Sequence, residues 1–335
     1  MTERVFIIAE AGVNHDGKLA TALRLVEVAA EAGADAVKFQ TFSADRQVTR
    51  AASKAPYQKT TTDPQESQHD MLRRLELSAD MHHALLAHCR TCGIDMMSTA
   101  FDIESVDLLV ELGLQRFKIP SGEITNLPYL RHIGRLQKQV LLSTGMSTPD
   151  EIDAALLALA AAGTPRSAVT VLHCTSSYPA PIEEANLRAM QALAQRCGTR
   201  VGYSDHTPGI EVAVAAVALG ACVIEKHFTL DRRLPGPDHQ ASLEPGELRA
   251  LVRAIRHVEL ALGDGIKRVV PSEAPNRDIA RKSLVAKRFI RQGEVFTADN
   301  VTAKRPGTGL SPMRWDEVMG STARRDFAPD ELLEP

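Results

Sequence analysis

The stretch VIEKHFTLDR, residues 223–232, begins as an apolar strand and ends in a crowd of polar groups. Glu225, Lys226 and His227 follow one another directly where the apolar run ends. Such crowding suggests a metal site, an acid–base pair or a strand end that meets water. Because side chains alternate along a strand, Glu225 and His227 should share one face, and Lys226 should point away from it in a structural role.

The same pattern recurs along the chain. Helical stretches such as 18–33 and 148–163 alternate with apolar runs that are typical of buried strands. This alternation predicts a (β/α)8 barrel, with a doubly wound sheet as the alternative architecture. No GxGxxG follows the first strand to favour that alternative. The predicted strands are 5–10, 35–40, 94–99, 116–121, 140–145, 169–175, 200–205 and 222–227.

Composition changes after the last barrel helix. The barrel is predicted to span residues 1–265, and residues 266–282 are rich in Gly, Pro and charge, which is typical of a linker. Residues 283–335 consist of short β-like pieces and predict a compact, turn-rich β module. So small a module should hold little core alone, and we expect it to pack against something else.

Charge and cysteine content exclude several classes of protein. Charged residues make up 24% of the 335 and the net charge is −3, so neither a nucleic acid nor a membrane surface is an expected partner. The longest apolar stretch, 212–224, falls short of the ~20 residues that a membrane span needs. Five cysteines make no disulfide framework, and Cys89 and Cys92 are interpreted as packed thiols. A cytoplasmic protein is expected.

Each predicted strand ends in at least one polar residue, which indicates an enzyme, because barrel enzymes place their catalytic groups at these ends. His206 and His227 follow two neighbouring strands, and a pair of imidazoles suits a divalent ion such as Mn, Co or Zn. The structural alternative is two histidines that are hydrogen-bonded to nearby backbone.

Two lysines lie inside apolar strands. Lys38 and Lys118 could face the barrel mouth and meet an anion or form a Schiff base, or they could extend along the outer face. Ser121 and Ser143 begin short Gly-containing turns that could present backbone N–H groups to a phosphate or carboxylate. Together these residues point to an anionic substrate such as a phosphorylated carboxylate. Asp238, on a Gly/Pro-rich loop, could bind sugar hydroxyls or simply lie at the surface.

These motifs, taken together, resemble the bacterial sialic acid synthase family, which includes N-acetylneuraminate synthases and their legionaminate and pseudaminate relatives. The resemblance covers nearly the whole chain. It is carried by IAEAGVNHDG (8–17), AVKFQT (36–41), FKIPSGE (117–123), LLSTGM (141–146), LHCTSSYP (172–179), GYSDHT (202–207), IEKHFTLD (224–231) and GPDHQAS (236–242). The tail KRPGTGLSP (304–312) resembles the family's small antifreeze-like SAF domain.

The resemblance implies a metal-dependent transferase that condenses phosphoenolpyruvate with an N-acylmannosamine-type aldehyde and releases phosphate by C–O cleavage. N-acetylmannosamine is the expected sugar, giving N-acetylneuraminate. A 2,4-diacetamido-6-deoxy sugar is the alternative, as in legionaminate- or pseudaminate-type synthases. A Schiff-base aldolase and a non-catalytic binding protein are remoter alternatives.

The resemblance also implies residue roles. Mn²⁺ is the expected ion on His206 and His227, with Mg²⁺ or Co²⁺ as alternatives. The implied catalytic residues are Glu10, Lys38, Glu123 and Glu225. The implied contacts to phosphoenolpyruvate are Lys38, Lys118, Ser121, Ser143, Ser176 and Ser204. The implied contacts to the sugar are Glu10, Gln40, Tyr178, Asp238 and Arg305.

The family further implies a homodimer with exchanged C-terminal domains, in which Arg305 of one chain meets the sugar's acyl group in the other. Two departures from the family pattern bear on this site. Ser176 stands where family members often have Asn, and Arg281 and Lys282 stand where part of the family has an aromatic residue. The second departure affects the part of the sugar pocket that the partner chain is expected to supply.

Overall fold

The structure is a computed structural model that describes residues 4–63 and 65–334, apart from the side chain of Thr60. The chain divides into two compact units, Met1–Asp264 and Gly265–Pro335. In the described part of the chain, no helix is both long and apolar enough to span a membrane.

The first unit is a closed barrel of parallel strands in the order β1 to β8, with β8 pairing back onto β1. This confirms the predicted barrel, and each predicted strand boundary lies within two residues of the observed one. The strands are β1 (Phe6–Gly12), β2 (Ala36–Thr41), β3 (Asp95–Ala100), β4 (Arg116–Ile119), β5 (Gln139–Ser143), β6 (Val169–Cys174), β7 (Arg200–Asp205) and β8 (Val223–His227).

Helices surround this barrel, and several begin or end as their sequences predict. Thr148 caps α8 through a reciprocal capping box with Glu151, and Gly33 ends α1 in the left-handed conformation that glycine permits. The helices are α1 (Leu19–Ala32), α2 (Ala44–Gln47), α3 (Pro56–Thr61), α4 (Gln68–Leu75), α5 (Ala79–Cys92), α6 (Ile103–Glu111), α7 (Leu127–Arg135), α8 (Pro149–Ala162), α9 (Ala189–Cys197), α10 (Glu211–Ala218) and α11 (Pro245–Leu262).

Strand register brings the inward-facing polar residues to one level of the barrel. Glu10 pairs with Lys38 on one side and with His227 on the other, while Ser204 pairs with Glu225. Because these residues lie near the carboxyl ends of their strands, the barrel gathers them at the face where barrel enzymes carry their active sites.

The second unit contains α12 (Ala274–Ala280), β9 (Ser283–Ala286), β10 (Val301–Lys304) and α13 (Trp315–Val318). The two strands are antiparallel. A small apolar core that includes Leu284, Phe296 and Phe327 supports this unit. Helix α12 lies inside the segment 266–282, which the sequence presented as a linker; the segment is exposed throughout.

Candidate active site

A cavity of about 320 Å³ opens at the carboxyl ends of the barrel strands. Most of the side chains that the sequence singled out line this one cavity. Those residues are Glu10, Lys38, Gln40, Lys118, Ser121, Ser143, Ser176, Tyr178, Ser204, His206, Glu225, His227 and Asp238.

Glu123 does not line the cavity. It lies in a short 3-10 turn, Ser121–Glu123, that follows β4. There its Oε2 accepts a hydrogen bond from Asn126 Nδ2 at 2.6 Å, and Asn126 in turn caps α7. The catalytic role predicted for Glu123 therefore has no support in this geometry, because its carboxylate is hydrogen-bonded to the residue that caps α7.

Arg305, in the second unit, donates its Nε–H to the Ala280 carbonyl oxygen at 3.0 Å.

Four buried charges form a connected network at the cavity floor. Lys38 Nζ lies 2.8 Å from Glu10 Oε2 and 3.6 Å from Glu225 Oε2. Lys118 Nζ lies 2.9 Å from Glu225 Oε1. Ser204 donates its hydroxyl to the same Glu225 oxygen at 2.9 Å. Two ammonium groups are thus held in place from inside the barrel, and the lysines do not extend along its outer face.

The two carboxylates of this network have opposite pKa shifts. Burial raises the pKa of Glu10 to about 7 against the attraction of Lys38. Burial also opposes ionisation of Glu225, but Lys118 and Lys38 outweigh it and hold the pKa of Glu225 below its ordinary value. Burial disfavours the charged form of Lys38, yet Glu10 and Glu225 reverse the effect and raise its pKa. Two carboxylates with separated pKa values suit two chemical roles.

Hydroxyl groups form a cradle beside this network. Ser121 Oγ accepts the Gly145 N–H at 2.9 Å. Ser143 Oγ is buried and has no hydrogen-bond partner among the described residues. A Cβ atom added to Gly145 would overlap Ser176 Oγ and lie 2.9 Å from Ser121 Oγ and 3.1 Å from Cys174 Sγ. The space in front of Gly145 is therefore narrow, polar and open only because this residue has no side chain.

The histidines at the ends of β7 and β8 lie side by side, with ring centroids 5.6 Å apart. His206 Nδ1 lies 2.7 Å from the carbonyl oxygen of Thr175, which places its proton on Nδ1 and leaves the Nε2 lone pair available. His227 Nδ1 is buried without a hydrogen-bond partner in the described part of the chain, 3.9 Å from Asp238 Oδ2.

Both imidazoles are neutral at physiological pH. Burial lowers the pKa of His206 to about 4, and burial together with His206 lowers the pKa of His227 well below its usual value. Neutral imidazole is the form that binds metal. Within residues 4–63 and 65–334, no group of three or more His, Cys, Asp and Glu side chains is placed to hold a metal ion alone. The two neutral imidazoles could supply two ligands to a divalent ion, and the further ligands would have to come from water or substrate.

An aromatic stack leads from the histidines into a long connection between β2 and α5. Tyr178 lies over His206 with ring centroids 4.2 Å apart, and Tyr57 lies 5.2 Å from Tyr178. Tyr57, Gln47 and Gln58 line the cavity, but the sequence analysis did not single them out. The one signal that the sequence offers for them is the length of the segment between the predicted strands 35–40 and 94–99.

Lys226 points away from the cavity, as strand alternation predicted. Its Nζ donates to Asp205 Oδ2 at 2.7 Å, and both side chains are buried. Asp205, which lies next to His206 in sequence, therefore faces the helices and takes no part in the cavity. Its Oδ1 accepts hydrogen bonds from the backbone N–H and the hydroxyl of Thr207.

Comparison with known proteins relates both units to established families. A family model described as the NeuB family matches residues 25–267, and one described as the SAF domain matches residues 281–335. An N,N'-diacetyllegionaminic acid synthase of Campylobacter jejuni is 54% identical over 331 residues, which cover 99% of each chain. Another protein of that name, from Legionella pneumophila, is 46% identical over 98% of this chain and 93% of its own.

A solved structure agrees with these relatives. The N-acetylneuraminic acid (sialic acid) synthetase of Leptospira borgpetersenii superposes with a TM-score of 0.71 at 34% sequence identity, covering 82% of this chain and 90% of its own.

Proposed function

This chain belongs to the NeuB family, and from that premise we propose that it condenses phosphoenolpyruvate with a 2,4-diacetamido-6-deoxy sugar aldehyde. The products are a nine-carbon 2-keto acid of the legionaminate type and phosphate. The sequence motifs alone favoured N-acetylmannosamine as the sugar. The 54% identity with a diacetyllegionaminic acid synthase over 99% of both chains supports the diacetamido sugar instead.

The observation that carries the condensation chemistry is the buried network of two lysines and two glutamates. Phosphoenolpyruvate has two anionic groups, a carboxylate and a phosphate. Lys38 and Lys118 offer two fixed ammonium groups, 2.8–3.6 Å from the carboxylates that hold them. A preorganised pair of charges inside a cavity binds and orients such an anion at little reorganisation cost. A raised pKa keeps Lys38 protonated, which argues against a Schiff base at this residue.

The hydroxyl cradle extends this anion site. Ser143 Oγ is a buried group without a partner among the described residues, and Ser121 and Ser176 flank the space in front of Gly145. These hydroxyls would donate to the phosphate or carboxylate oxygens of phosphoenolpyruvate. A buried hydroxyl that gains a charged acceptor is stabilised more than one that meets water alone.

Glu10 is suited to proton transfer. As the new carbon–carbon bond forms between C3 of phosphoenolpyruvate and the aldehyde carbon, the aldehyde oxygen gains a proton. The water that adds at C2 loses a proton, and phosphate then leaves with its bridging oxygen. A carboxyl group with a pKa of about 7 exchanges protons near neutral pH and could serve both steps. Glu225 stays ionised and would stabilise positive charge that develops at C2.

His206 and His227 would hold a divalent ion, with Mn²⁺ the expected species and Mg²⁺ or Co²⁺ as alternatives. When bound, such an ion supplies Lewis-acid polarisation of the aldehyde oxygen. The protein's own part is to keep both rings neutral and oriented. His206 is oriented by its hydrogen bond to the Thr175 carbonyl, and the Tyr178 ring packs over it.

A homodimer with exchanged C-terminal domains completes the proposal. Residues 261–282 are exposed throughout and include apolar side chains, among them Ile266 at 67% exposure and Ile279 at 66%. A second copy of the chain would cover such a surface. We expect analytical ultracentrifugation to give the molecular mass of a dimer. Arg305→Ala should raise the KM for the sugar and leave the KM for phosphoenolpyruvate unchanged.

Phosphate release from phosphoenolpyruvate tests the whole proposal. The sugars to compare are the 2,4-diacetamido-6-deoxy sugar, N-acetylmannosamine and N-acetylmannosamine 6-phosphate. We expect the highest kcat/KM with the diacetamido sugar and no covalent trapping by borohydride with pyruvate. A higher kcat/KM with N-acetylmannosamine would overturn the sugar assignment, and no phosphate release with any sugar would overturn the condensation.

A further inference from the structure

The two sides of the cavity differ in chemistry. The hydroxyl cradle comes from the end of β5 and from the segments that follow β4, β5 and β6. The segments that follow β1, β2 and β3 supply an apolar wall. Strand order places these two groups of segments on successive arcs of the cavity rim, because β1 to β8 close in sequence. The wall consists of Val13, Met71, Leu72, Leu75 and Phe101.

This apolar wall is a packed surface that belongs to one hydrophobic cluster. Val13, Met71, Leu72 and Leu75 belong to that cluster together with Phe42 and Ala44, and Phe101 and Val48 pack against it. Met71 is 1% exposed and Leu75 is 5% exposed. A wall packed in this way keeps its shape when a ligand arrives and favours apolar groups over hydroxyls.

One polar atom interrupts this surface. Gln47 lies at the end of α2 and lines the same cavity. Its Oε1 is buried and has no hydrogen-bond partner among the described residues. A buried acceptor without a donor is unfavourable, so a ligand group that brings an N–H or O–H to this position would be stabilised.

We propose that the apolar wall and Gln47 bind the end of the sugar that is farthest from its aldehyde, and that the wall selects the diacetamido sugar there. This inference rests on the proposed function. The aldehyde carbon must meet phosphoenolpyruvate at the lysines and the cradle, so carbons 4 to 6 extend away from the cradle, toward the wall. The 6-methyl and the acetyl methyl at C4 pack on the wall, and the C4 N–H donates to Gln47 Oε1.

Selection follows from what N-acetylmannosamine would place at the same wall. Its C6 carries a hydroxyl, which would lose water without gaining a partner among Val13, Met71, Leu72, Leu75 and Phe101. Its C4 hydroxyl could still donate to Gln47 but brings no methyl group to the wall. The discrimination therefore comes mainly from the wall, and Gln47 contributes to the binding of either sugar.

Two nearly isosteric substitutions separate these contributions. Met71→Gln places an amide in the wall, and we expect kcat/KM for the diacetamido sugar to fall about 10-fold or more relative to N-acetylmannosamine. Gln47→Met removes the acceptor and should lower kcat/KM about 10-fold for both sugars. The KM for phosphoenolpyruvate should stay unchanged in both variants, since Met71 and Gln47 belong neither to the hydroxyl cradle nor to the buried network of lysines and glutamates.

Phe42→Leu is the matched control, because Phe42 belongs to the same cluster but does not line the cavity. This variant should lower the melting temperature without changing the ratio of the kcat/KM values for the two sugars. The wall would be overturned as the selective element if the wild type prefers the diacetamido sugar and Met71→Gln keeps the same ratio of kcat/KM values for the two sugars. A wild type that prefers N-acetylmannosamine would instead show that the proposed function has failed.

Discussion

Gly145→Ala tests the anion cradle with one methyl group. The added Cβ would overlap Ser176 Oγ and crowd Ser121 Oγ at 2.9 Å and Cys174 Sγ at 3.1 Å. Gly145 has no positive φ, so alanine can adopt its backbone conformation without strain. The substitution should therefore change the shape of the cradle far more than it changes the local backbone.

The expected magnitude follows from the hydrogen bonds that would be lost. If phosphoenolpyruvate loses one hydrogen bond from a serine hydroxyl to a charged oxygen, the cost is about 1.5–3 kcal/mol. That corresponds to a rise of roughly 10- to 150-fold in the KM for phosphoenolpyruvate. The KM for the sugar should change little, because the distal end of the sugar is proposed to bind the apolar wall and not the cradle.

The assay is phosphate release at saturating sugar over a range of phosphoenolpyruvate concentrations, with the melting temperature measured in parallel. Gly122→Ala is the control, since Gly122 also lines the cavity but a Cβ there would have no heavy atom within 4 Å. We expect the control to behave like the wild type. A Gly145→Ala enzyme that folds normally and keeps the wild-type KM for phosphoenolpyruvate would refute the cradle.

Three further predictions concern the charged and metal-binding groups. The KM for phosphoenolpyruvate should rise as the pH increases through about 7, because Glu10 then becomes anionic beside the substrate. In Glu10→Gln the KM for phosphoenolpyruvate should no longer change over this pH range. Asp205→Ala should lower the free energy of unfolding in urea by about 3–5 kcal/mol, since it leaves the buried Lys226 ammonium without its carboxylate partner. A loss below about 1 kcal/mol would contradict this. His227→Ala should lower the turnover number by orders of magnitude and should reduce the amount of bound metal, which elemental analysis measures. Wild-type values of both quantities would show that His227 is not part of the site.

The barrel and its inner face were predictable from the sequence for a simple reason. Buried parallel strands are continuous apolar runs, so any polar residue near their ends stands out. Period-two alternation then separates inward from outward side chains. It correctly assigned Glu225 and His227 to the cavity and Lys226 to the outer side.

Other features depend on tertiary packing that no local pattern reveals. Glu123 looked catalytic because it follows a strand end, but the chain turns at Ser121 and directs the carboxylate to Asn126. Gln47 and Met71 lie in a long connection without a strand-end position, and only the folded chain brings them to the cavity. The helix in residues 266–282 was missed because its composition resembles a linker.

The charge balance of the site links substrate binding to proton transfer under the proposed function. Two lysines face Glu225, which stays ionised, and Glu10, which is half protonated near pH 7, while His206 and His227 remain neutral. An anion that binds beside Glu10 favours its neutral form, so phosphoenolpyruvate should bind together with a proton above that pH. The condensation then requires a proton at the aldehyde oxygen. The proton taken up on binding is therefore already in the cavity when the carbon–carbon bond forms. This gives a role to a buried Glu10 carboxyl group whose pKa lies near 7 because the attraction of Lys38 offsets only part of the effect of burial.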